Sequence, residues 1–470
     1  MAPAPQAKPR RHLVAIALAA VGLTLALCGG LTLHATNLDE GAIAKRYNAR
    51  ADAARAELYA RPPSDLNHAP GPAAPLYQRA YEGCPAFDKP QIGAQVALLS
   101  TLGALTRPHA PLPSPLPLPA ACVALGAPDR SDHPIAATLS EDLCEKIAAC
   151  APALDLLIEG SLRQTGRSPM SLQEPWAEGR DPRHFVTLIQ LALARAALDG
   201  DSDRLLDATL ALARVSVDLG LGARAHVNAE AARALTLTTA PLTRWLADDA
   251  LDQPQLERAL RALTALNARP LSFKAAAEAE YLAIVPMWRL YDALDPPPGA
   301  MTPPRPPADF VEALLLRNAF KIQERTLADT IEASRLGGLQ QRARLDALFE
   351  DQKTSPNPLV RAAAADHGQH ALLIHAAAAR VGLLELLAAA RLHLRRHHAL
   401  PNSPTQLSDI TGEKLPGDPL VGGAFAFENT PGGIRLASYA LDPGMAPALG
   451  IAQRHQRDGL EFSLAAPEAP

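Results

Sequence analysis

Aromatic residues are scarce in this chain. Tyrosine, phenylalanine and tryptophan make up only 4% of it, against 48% for hydrophobic residues as a whole, and alanine and leucine fill segment after segment. Sheet-rich folds draw on aromatic and β-branched side chains. The composition therefore favours helices, where Ala and Leu lose little side-chain freedom. An excess of charge is also missing: 45 Lys and Arg face 49 Asp and Glu, so there is no basic footprint, which argues against nucleic acid as a main partner. The five cysteines show no CxxC spacing and have no histidine ligand close in sequence, which argues against a zinc site. No GxSxG, HExxH or GxGxxG pattern is present, and the glycine pairs of "LGGLQQ" (Leu336 to Gln341) and "VGGAF" (Val421 to Phe425) lack a phosphate-loop lysine and read as turns. No catalytic residue, cofactor or metal is assigned.

What the chain does have is a charge-free run from Leu13 to Leu33, which at about 1.5 Å per residue matches the hydrocarbon thickness of a bilayer. Lys8, Arg10 and Arg11 precede it while Asp39 and Glu40 follow, so the basic excess places the N-terminus in the cytoplasm and the bulk outside. Three fates compete for the segment. Lipidation at Cys28 wants a small residue before the cysteine, where Leu27 stands. Cleavage after Ala35 wants a small residue at −3 too, where Leu33 stands. The Arg10-Arg11 pair also suits a twin-arginine signal, but topology explains it equally. The expectation is an uncleaved signal anchor, with lipid bilayer contacted through residues 13–33.

Cys84, Cys122, Cys144 and Cys150 lie beyond the anchor in an even number, and two disulfides are expected in an oxidising compartment. "EDLCEKIAACAPALDLLIEG" reads as one helix opened by Ser140, on which Cys144 and Cys150 are about 9 Å apart along the axis and on different faces, beyond bridging distance. Each is expected to pair back to Cys84 or Cys122; four buried free thiols are the alternative.

Prolines, 44 in all, cluster in Arg61 to Pro75, Arg107 to Pro119 and Pro296 to Pro307 as connectors. Residues 1–11 form a cytoplasmic tail, 12–35 the anchor, 36–76 a stalk helix and Pro-rich linker, 77–398 a helical body, and 399–470 a small cap. Within the body, the segment around Phe185 to Ala196 and that from Leu205 to Val217 form a hairpin across "DGDSD". Further helices are expected over Ala223 to Leu246, Gln255 to Asn267, Leu271 to Leu294 with a kink or break at Pro286, Ala308 to Leu336, Leu339 to Phe349 and Leu359 to His398. The last is apolar enough to suggest a second membrane span. His375, Arg380 and Glu385 interrupt it at a cost of about 2.5–3.5 kcal/mol per central charge, so a buried helix of the body is expected.

From Leu400 the texture changes to "LPNSPTQLSDI", then "GDPLVGGAFAFENTPGGIRLASYALD", a hairpin turning at "TPGG", with "DGLEFSL" as a further strand. A long helix followed by these motifs resembles the globular part of type II secretion pseudopilins and the C-terminal end of single-pass bacterial envelope proteins that share this cap. The resemblance covers roughly residues 380–465 and implies an α+β fold for the cap. Filament assembly is not implied, because the anchor lies far upstream. In the hairpin, Phe427 is expected to bury against the preceding helix, near Leu383, Leu387 and Leu394.

His367 and His370 are three apart, and His393 and His397 four apart, each pair on one helical face. On one continuous helix the pairs lie roughly 34 Å apart and cannot share a metal. Glu278 and Glu280 diverge by about 200° around a helix and read as a solvated face rather than an acid–base pair. The sequence thus describes a mainly α protein: an irregular array of helical hairpins behind an N-terminal membrane helix, with a small C-terminal α+β cap. Its expected role is an extracytoplasmic scaffold or binding protein with an envelope protein partner. An envelope hydrolase with a site assembled from distant residues, or a lipoprotein attached through Cys28, are the alternatives.

Overall fold

A computed structural model describes residues 43, 45–49, 69–84, 141–166, 168–170, 180–198, 202–292, 310–412, 414–441 and 460–465. The anchor segment and Cys122 lie outside these; of the expected stalk and linker (36–76), residues 43, 45–49 and 69–76 are described, and Ile43 is buried in the core rather than standing clear of it. Among the described residues the fold is mainly helical: α1 (Ala74–Gly83), α2 (Glu141–Ser161), α3 (Pro182–Leu198), α4 (Ser202–Gly220), α5 (Ala225–Ala247), α6 (Gln253–Asn267), α7 (Phe273–Asp292), α8 (Phe310–Ala333), α9 (Gly338–Lys353), α10 (Pro358–Ala362), α11 (His367–His397) and α12 (Pro404–Thr411). Two short strands, β1 (Ala69–Pro72) and β2 (Arg163–Thr165), pair in parallel; nothing in their sequence alternates in polarity, and they were not expected.

Local signals set the helix ends. At α6, Asp252 accepts from the backbone N–H of Gln255 (2.8 Å) while the Gln255 side chain receives the N–H of Asp252 (3.0 Å), a reciprocal cap that satisfies two otherwise unpaired donors. The helix expected over Leu359 to His398 is two helices. Residues 363–366 break it, and Asp366 restarts it by accepting from the N–H of Gln369 at 2.8 Å. The chain continues helically through Pro286 in α7.

Helix α11 is the axis of the body, packed by α5, α6, α7, α9 and α12. By length and composition the stretch Pro358–His397 could cross a membrane, but most of it is buried inside the protein. Its charged residues are met within the core: Glu385 accepts from Thr264 Oγ1 (2.9 Å) and from the Asn267 amide, and Arg380 donates to Thr243 Oγ1 (3.2 Å). Such pairing is what a buried charge requires.

Cys84 and Cys150, both buried, form a disulfide that ties the end of α1 to α2. Cys144 lies in α2, and its side chain is outside the described set. Nearby, the Tyr77 hydroxyl donates to Asp218 Oδ2 at 2.6 Å and fixes α1 against α4.

The cap contains β3 (Gly417–Asp418) paired with β4 (Gly423–Ala424), and a three-stranded antiparallel sheet in the order β5 (Ala426–Thr430), β6 (Gly433–Ala437), β7 (Glu461–Ala465). Thr430 faces Gly433, so Pro431 and Gly432 make the turn. Asp418 is buried and organises the loop, accepting from the N–H of Leu420 (3.0 Å) and the Ser438 hydroxyl (2.7 Å). The ring that docks the cap is Phe425, not Phe427: Phe427 is only partly buried, whereas Phe425 lies over Gly382 of α11. A Cβ at Gly382 would sit 2.8 Å from the Phe425 ring and 3.3 Å from Pro416, so glycine is what lets the cap approach the helix. A strand ladder alone does not say which of two aromatic residues, two apart, meets a gap in the helix.

Candidate functional site

Among the described residues, a grouping of titratable side chains lies where α5, α7 and α11 converge. Sequence spacing places His367 and His370 together on the first turn of α11; the structure adds Arg224 and His226 from the start of α5 and Glu280 from α7. Glu280, read from sequence as part of a solvated face, is buried, while Glu278 is half-buried. The reason is visible in retrospect: Phe273, Ala277 and Glu280 fall at i, i+4 and i+7, on one stripe of α7 that faces the core.

Glu280 is fully engaged. Its Oε1 accepts from Arg224 Nε (3.0 Å) and Nη2 (2.5 Å), and its Oε2 accepts from the backbone N–H of Ala225 at 3.1 Å. Burial works to raise the Glu280 pKa, but the Arg224 hydrogen bonds and charge, with His367 adding to them, override it and hold the carboxyl below its usual range. The pair also anchors the first turn of α5, where a carboxylate complements the helix dipole.

The imidazoles around it are poor in partners. His367 is buried. The Nδ1 atoms of His367 and His370 are inaccessible and meet no hydrogen-bond partner among the described residues, and the rings stand edge to face with centroids 6.1 Å apart. Burial pushes both pKa values down, against the pull of Glu280. His226 is exposed, and its pKa is lowered as well, desolvation of the ring outweighing Glu280. At the rim, Glu230 pairs with Arg233 and stands 3.7 Å from Arg183 Nε.

Chemically, this is a cluster of desolvated imidazoles around a carboxylate held by Arg224 and Ala225. Both Glu280 oxygens accept hydrogen bonds, and among the described residues no group of three or more His, Cys, Asp or Glu is arranged to hold a metal ion. His393 and His397, at the opposite end of α11, have ring centroids 4.5 Å apart with planes tilted by 44°, and His393 Nδ1 meets the Ala399 carbonyl at 2.9 Å, a role in closing the helix end. Arg224 and Glu280 are 56 residues apart, and no motif in either neighbourhood announces the pairing.

A second feature is a small crevice between α9, the start of α11 and the cap loop, lined by Gln341, Arg342, Leu345, Leu372, His375 and Leu420 among others. Arg342 Nε donates to Asp346 (2.9 Å) and its Nη1 has no partner among the described residues. Burial pushes His375 down to about 4, and its ring stands edge-on to Phe273 with centroids 6.4 Å apart. No protein family, curated protein or solved structure matches the chain.

Proposed function

We propose that this chain is a membrane-anchored extracytoplasmic helical scaffold or binding protein, held in the inner membrane by residues 13–33 with the N-terminus inside. The observation that carries the reading is the Cys84–Cys150 disulfide, because such bonds persist in oxidising compartments and are rare where thiols are kept reduced. It agrees with the topology that Lys8, Arg10 and Arg11 favour. The site chemistry favours a binding or scaffolding role over a hydrolase: the buried carboxylate beside the imidazoles is spent on Arg224 and Ala225, as in a structural counter-ion.

The test is the thiol state in intact cells. Rapid alkylation followed by non-reducing peptide mapping should recover Cys84 linked to Cys150 in the full chain, and free thiols in a version lacking residues 1–35 that stays in the cytoplasm. Recovery of both cysteines as free thiols from the full chain would overturn the compartment assignment. The same cells, carrying Cys28→Ser, should keep the protein in the membrane fraction; release of the protein by that change would favour lipid attachment instead.

A further inference from the structure

We infer that the side of the body built from α7 and α8 rests against the outer leaflet of the bilayer that residues 13–33 cross. This rests on the anchor reading above and adds which face meets the lipid.

The first observation is where the chain re-enters the body after the anchor. Ile43 is buried in the core and Tyr47 packs against it. Between them in sequence, Arg46 donates from Nε (3.0 Å) and Nη2 (2.7 Å) to Glu324 Oε1 of α8, and the same oxygen accepts the hydroxyl of the fully buried Tyr281 of α7 at 2.7 Å. A buried carboxylate shared by a guanidinium and a phenol fixes this segment on α7 and α8, because leaving Glu324 unpaired in the core is costly.

The second observation is reach. Leu33 and Ile43 are ten peptide steps apart, which extend to at most about 35 Å. A compact chain of this size has a radius of gyration of about 23 Å and so spans nearly 60 Å. The tether is too short to pass around the body, so the face that receives Ile43 is turned toward the membrane.

The third is what that face presents. On α8, Leu314, Arg317, Lys321 and Arg325 fall at i, i+3, i+7 and i+11, one stripe running beside Glu324. Arg317, Arg325 and Lys45 are exposed, and Leu314, Leu315, Leu316 and Ile322 are half-buried. Basic side chains among partly exposed apolar ones suit the headgroup region of an anionic leaflet. Among the described acidic side chains of α8, Glu324 is turned inward onto Arg46, while Asp329 and the exposed Glu332 are paired with Arg344 and Arg335.

The test uses the full-length protein in vesicles of phosphatidylethanolamine and phosphatidylglycerol, with a photo-crosslinking residue placed in turn at Arg317, Arg325, Leu23 in the anchor, and Gln253 on α6, a helix that packs on α4 and α11. Lipid adducts at positions 317 and 325 should exceed those at 253 by roughly thirtyfold, the change expected for a pair of basic side chains moved from bulk to an anionic surface at about 1 kcal/mol each. The pair Arg46→Ala and Glu324→Gln should reduce them toward the level at 253. Strong labelling at Leu23 with no excess at 317 or 325 would overturn this inference and leave the anchor standing. No labelling at Leu23 would remove the anchor reading and this inference with it.

Discussion

Replacing Arg224 by alanine should destabilise the body by about 3 kcal/mol at neutral pH. The value comes from the geometry: cutting one partner from a buried pair costs about 3–5 kcal/mol because a charge is left unpaired in the core. The Arg224 side chain is 34% exposed, which puts the loss at the lower end. Ala225 still donates to Oε2, so Glu280 is not wholly abandoned. The reverse change is milder. Glu280→Gln leaves a guanidinium that can turn to solvent, and should cost about 1–2 kcal/mol.

The pH dependence separates this account from generic damage. In the native chain the Glu280 pKa is held below that of the unfolded state, so the group contributes stability that is present above about pH 4.5 and is lost as pH falls through the folded value. Without Arg224, burial dominates and the folded pKa rises above the unfolded one. The sign then inverts, and the variant loses stability as pH rises from about 4.5. The difference between native and Arg224→Ala should therefore be largest at pH 7 and shrink toward pH 4.5. Urea titrations of the detergent-solubilised chain, followed by the emission of tryptophans that include the buried Trp245, measure it. A difference below about 1 kcal/mol, or one that is flat with pH, would refute the argument. The double change Arg224→Leu with Glu280→Leu should recover much of the loss, since a buried pair replaced by apolar groups is often near neutral.

Phe425→Ala should cost about 3–4 kcal/mol and expose the cap to protease before the body, while Phe427→Ala, at a half-buried ring, should cost about half as much or less; equal effects would contradict the Gly382 contact. Acidification should weaken the fold through His375: a drop from 6.5 to about 4 corresponds, at 1.36 kcal/mol per pH unit, to at most about 3 kcal/mol. That contribution is complete above pH 6.5 and lost as pH falls toward 4, so His375→Phe should flatten this part of the stability profile. Reduction of Cys84–Cys150, which closes a loop of 66 residues, should cost about 4 kcal/mol on the chain-entropy estimate, read as a lowered melting temperature in reductant; no change would mean the reduced chain keeps the α1–α2 junction closed without it.

Much of the fold is legible from sequence because periodicity and punctuation agree. The hairpin of α3 and α4, the helix expected over Gln255 to Asn267, and the β-hairpin at "TPGG" each carry their own signal, although α6 begins two residues earlier, at Gln253, behind a cap at Asp252 that was not among the expectations. Sequence suggests continuity from Leu359 to His398 because alanines 362–365 favour a helix locally, while Asp366 offers a cap that propensity does not register. The site is less legible. Its histidine pair is visible as a spacing, but Arg224, His226 and Glu280 come from two other helices, and only tertiary packing turns Glu280 inward. The alternation through Phe425 and into β5 marks Phe425 and Phe427 as equivalent; the missing side chain at Gly382, more than forty residues upstream, distinguishes them.

The proposal of an extracytoplasmic body behind a membrane anchor is tested most directly by topology. A phosphatase that folds only in an oxidising compartment, fused after Pro470, should be active in cells, and a reporter that works only in the cytoplasm should be silent at the same position. The opposite pattern would place the disulfide-bearing body inside the cell and contradict the account.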